Sequence, residues 1–65
     1  MNDLDYIRQS AEFLLEAHPA DEALEHAQLF SRAAFETGDL MRHTFWKSVF
    51  DLIETAMIEE SAAQL

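Results

Sequence analysis

The chain has 65 residues, no cysteine, 13 acidic against 4 basic side chains and a net charge of −9. That is one domain at most, of a size where a single core supplies only about 3–5 kcal/mol and folding gains from a partner. The composition excludes disulfides and thiolate metal sites, the charge works against direct contact with a nucleic-acid backbone, and no apolar run approaches the ~20 residues of a membrane span.

The opening stretch, Met1 to Asp5, is acidic and carries no basic-then-apolar leader. It points to a protein without a signal peptide, working in the cytoplasm. Asn2 or Asp3 can cap a first helix over about 3–17. At about 100° per residue, Leu4, Ile7, Ala11, Leu14 and Leu15 share one core-facing stripe. On the opposite side Tyr6 and Phe13 form a second apolar line, a candidate contact surface.

His18-Pro19 separates this helix from the next, because the residue before proline is pushed out of the α region. A second helix is expected over 20–37, with Asp21, Glu22 and Glu25 near its positive end. Its inward face would be Ala20, Ala23, Leu24, Ala27, Phe30, Ser31, Ala34 and Phe35. Most of these are small, which lets a neighbouring helix approach closely. Thr37-Gly38-Asp39 then reads as a left-handed glycine followed by an N-cap. So short a connection makes helices two and three an antiparallel hairpin.

The third helix, over about 40–60, holds the only tryptophan and the densest apolar run. Its polar arc carries His43, Thr44, Lys47, Ser48, Asp51, Glu54 and Thr55, with Lys47 and Asp51 spaced to pair. Its apolar arc, from Leu52, Phe45 and Ala56 through Val49 and Ile53 to Trp46, Met57 and Phe50, spans roughly 160°, more than the about 100° that one neighbour covers. The small face of helix two takes one edge and helix one part of the other. Phe50 and Met57 are expected to be left for a partner. Residues 61–65 have no cap signal and read as a frayed tail.

The expected architecture is all-α: a single domain over 1–65, a three-helix bundle without strands. The hairpin at Gly38-Asp39, followed by Phe45, resembles a single tetratricopeptide unit. Such a unit would stack on a second copy, but none follows, and His43 stands where that repeat needs a small residue.

Chemical signatures are sparse. His18, Glu22 and His26 have an i, i+4, i+8 spacing that can serve zinc or nickel, but Pro19 takes His18 out of the helical register and leaves a two-ligand fragment. The carboxylate pairs Glu12–Glu16, Asp21–Glu25 and Asp51–Glu54 fall on polar arcs, where solvation explains them. No serine has a nucleophile-elbow pattern or a histidine beside it in sequence. No metal, no cofactor and no catalytic residue is expected. The function these features favour is a non-enzymatic protein–protein interaction module, either a homodimer or a regulatory or adaptor subunit, with Tyr6, Phe13, Phe50 and Met57 at the interface. An alternative is an acidic nucleic-acid mimic or antitoxin-like inhibitor, which would need Glu12, Glu16, Asp21, Glu22 and Glu25 lined up on one face.

Overall fold

The computed structural model describes residues 3–63, all but two short connections of which are helical: α1 (Asp3–Ala17), α2 (Ala20–Glu36) and α3 (Leu40–Ala63). This is the all-α three-helix bundle. α2 and α3 are the most closely packed pair, and α1 lies more against α3 than against α2. No strand occurs among the described residues, and none of their helices is long and apolar enough to cross a membrane.

The helix ends follow from local chemistry. The expected cap at Asn2 lies outside the described residues, Asp3 being the first helical one. Pro19 sits in an extended conformation (φ −57°, ψ 155°) as the N-cap of α2, and its carbonyl accepts the Ala23 N–H at 2.9 Å. At the other end Gly38 takes φ 80°, the left-handed conformation that glycine adopts without a Cβ penalty. The Gly38 N–H donates to Phe35 O at 3.0 Å and the Asp39 N–H to Ala34 O at 2.9 Å, which closes a Schellman motif. Asp39 then starts α3: its carboxylate accepts the Arg42 N–H at 3.1 Å, and its carbonyl accepts that of His43 at 3.0 Å.

Small residues on α2 set the packing. Ala23, Ala27, Ser31 and Ala34 are its buried positions, and they let α3 come close enough for Val49 and Ile53 to lose all solvent exposure. Ala11 and Leu14 of α1 complete this core, with Ile7, Leu24, Phe45, Trp46, Phe50 and Met57 half-buried around it. Each predicted stripe is wider than what is buried. Leu4 (59 % exposed), Phe30 (43 %) and Phe35 (59 %) flank their helices' buried lines instead of lying within them. The physical reason is the length of the partners: short helices cover only the central line of an amphipathic face.

α3 runs three residues past the end that its periodicity predicts, and at 24 residues it outlasts the 15 of α1 and the 17 of α2. The result is elongated, 42 × 26 × 19 Å, with a radius of gyration of 12.2 Å against about 11 Å expected for this length.

Candidate functional site

Grooves flank the α2–α3 hairpin, and three of the four sequence-predicted interface residues line two of them. Tyr6 and Phe13 are exposed on α1, Phe13 at 68 %, and line a groove of about 610 Å³ together with Phe30, Trp46, His18 and His26. Phe50 and Met57 are half-buried against the core. Phe50 also floors the second groove, of about 340 Å³, on the side of the hairpin that carries Arg32, Lys47, Phe35 and Gln28. The four residues therefore do not form one patch: Tyr6 and Phe13 share the first groove, and Phe50 belongs to the second.

In and beside the first groove the rings contact one another in a chain. His18 meets His26 at 4.3 Å between centroids, His26 meets Phe30 at 6.2 Å, Phe30 meets Trp46 at 4.7 Å, and Trp46 meets Phe45 edge-on at 5.2 Å. His18 also faces Glu22, with Nδ1 3.7 Å from its carboxylate. His18, Glu22 and His26 are thus brought together. However, ring-on-ring contact turns faces toward each other, not the in-plane lone pairs that a metal ion needs. No three His, Asp or Glu side chains among the described residues form a group that could hold a metal ion.

The second groove holds what periodicity misses. His43, placed on the polar arc by the helical wheel, is half-buried against α2. Its Nδ1 lies 2.9 Å from the Ser31 carbonyl oxygen and 2.8 Å from Ser31 Oγ, and Ser31 Oγ donates to the His43 carbonyl at 3.4 Å. A carbonyl only accepts, so this network assigns the proton to Nδ1. With that proton in place Nδ1 cannot take one from Ser31. The pair therefore acts as an interhelical clasp and not as a nucleophile with its base. The short Gly38 turn explains it: antiparallel packing sets Ser31 opposite His43, twelve residues apart in sequence, which no helical wheel of a single helix reveals. The Phe35 ring lies over His43 at 5.1 Å.

Charge divides the two grooves as well. The expected Lys47–Asp51 pair is absent from the structure, whose ion pairs among the described residues are His18–Glu22 and Arg42–Asp39. Arg32 and Lys47, two of only four bases in a chain of net charge −9, thus sit unpaired along one groove. Aliphatic stems and aromatic floor give that groove an apolar base under two cations.

Compared with protein-family models, curated proteins and solved structures, the chain matches none. Five of the acids that a nucleic-acid mimic would use, Glu12, Glu16, Asp21, Glu22 and Glu25, are exposed and divided between α1 and α2, with Glu22 turned to His18.

Proposed function

We propose that this chain is a non-enzymatic helical module of the cytoplasm whose work is protein–protein contact, and that the contact it makes first is with a second copy of itself. The observation that carries this is surface area. The accessible surface is 5061 Å², whereas the mass scaling of folded monomers gives only about 4,250 Å² for 7.5 kDa. The excess, about 800 Å², is what each partner contributes to an interface of standard size. Large apolar side chains stand on that surface, among them Phe13, Phe35, Leu40 and Ile58, each more than half exposed. A core this small also supplies little stability by itself, so association that stabilises the folded state is favoured by mass action.

Sedimentation equilibrium tests the reading. At micromolar concentration the expected mass is about twice 7.5 kDa, and helicity should melt at a temperature that rises with protein concentration. A folded species that stays monomeric into the millimolar range removes it.

A further inference from the structure

The proposed self-association leaves open which face is used, and here charge decides. Two copies that each carry −9 repel, so any pairing has to set the few bases against acids. Arg32 and Lys47 lie along one groove, one on each helix of the hairpin. Seven residues from each, two helical turns or about 10 Å along the same stripe, stands an exposed acid: Glu25 on α2 and Glu54 on α3. Because α2 and α3 run antiparallel, both acids lie toward the same end of the groove. The bases lie toward the Gly38 end. Between them, halfway along each helix, are Gln28 and Phe50.

The geometry points to a two-fold dimer across this α2–α3 face, with its axis in the plane of the interface and passing near Gln28 and Phe50. This rests on the dimer reading above and goes beyond it in naming the surface. A rotation about such an axis reverses the groove end for end. It lays Arg32 against Glu25 of the partner subunit and Lys47 against Glu54 of the partner subunit. Each of these pairs occurs twice. The same operation brings Phe50 against the partner's Phe50 on the axis, giving the charged pairs an apolar centre from which water is excluded. An axis parallel to the helices would instead set bases on bases and acids on acids. The alternation of sign along the groove therefore selects one relative orientation, which is what electrostatic complementarity does best. α1 leaves the face clear: none of its residues lines this groove, whereas Ile7 shares a groove with Phe45, and Tyr6 and Phe13 share one with Trp46 and Phe30.

Charge-reversal variants of the full chain, each checked for helicity by far-ultraviolet circular dichroism, test this by sedimentation equilibrium. R32E/K47E alone and E25K/E54K alone should each weaken the homodimer by on the order of 100-fold, while an equimolar mixture of the two should recover a dimer of mixed composition. R8E/R42E shifts the net charge as far as R32E/K47E does, yet should still dimerise. If the wild type dimerises and R32E/K47E dimerises as well, this face is wrong while the dimer reading stands. Failure of the mixture to recover a dimer overturns the pairing likewise. A wild type that never dimerises overturns both. Because all six substituted positions are exposed, loss of fold is not the expected result; where a double variant unfolds, the single reversals R32E and E25K, alone and mixed, decide by the same readout.

Discussion

The two grooves beside the α2–α3 hairpin are built from similar material and differ in how that material is used. On the α1 side, Phe45, Trp46, Phe30, His26 and His18 stack in sequence, so each ring already has a neighbour within the chain. On the other side, Phe35 lies over His43 and Phe50 floors the groove, with Arg32 and Lys47 left without acids in a strongly acidic protein. Apolar exposure by itself therefore says little about docking, since single exposed aromatics are ordinary. Rings that contact one another form a satellite core that ties α2 to α3 beside α1. Unpaired cations over an apolar floor are complementary to something outside the chain. That contrast separates stability from association, and substitutions on the two sides should have different consequences.

The largest effect should come from the residue that both sides share. Ile53 is fully buried, and Ile53→Ala should cost about 2–5 kcal/mol. That is comparable to everything a core of this size supplies, so the helical signal and both grooves should vanish together. Retained helicity at 222 nm would mean the core is not centred there. Trp46→Ala comes next and separates the sides. It removes the ring that joins Phe30 of α2 to Phe45 of α3 and should lower stability by about 3 kcal/mol, while the dimer across α2–α3 survives at temperatures where the variant is folded. A dimer lost with the fold intact would transfer the interface to the aromatic side. Smallest is Ser31→Ala, which removes the hydroxyl contacts with His43 but keeps the Nδ1–carbonyl bond, at a cost of about 1 kcal/mol. Thermal melts should show that loss, and the dissociation constant of the dimer should move far less than it does in R32E/K47E.

Much of the fold was legible from residue order because the signals are local. Gly38 next to Asp39 specifies a left-handed stop and a cap whatever surrounds them, and the hydrogen bonds of Gly38, Asp39 and Arg42 are those such a pair makes. His18-Pro19 separates two helices for equally local reasons. The alanines of α2 announce a close approach, and Ala23 and Ala27 are fully buried. Stripe edges were less legible. Leu4, Phe30 and Phe35 satisfy the periodicity, but a helix wheel has no information about how far a short partner reaches.

The candidate site was the least legible part. A wheel drawn for α3 alone sends His43 outward and pairs Lys47 with Asp51, whereas packing turns His43 onto Ser31 and leaves Lys47 beside Arg32 along one groove. Residue order specifies the three helices, their turn, the width of the apolar arc on α3 and the scarcity of bases, since each depends on neighbours within a turn or on composition. Which edge of that arc each helix covers is set by packing. The wheel supplies two edges without a hand, and the side on which α1 crosses the hairpin supplies the hand. With α1 on the Phe45 edge and α2 beside Phe50, Arg32 of α2 and Lys47 of α3 fall along one groove that no α1 residue lines. That juxtaposition joins residues twelve or more apart in sequence, and only packing brings them together.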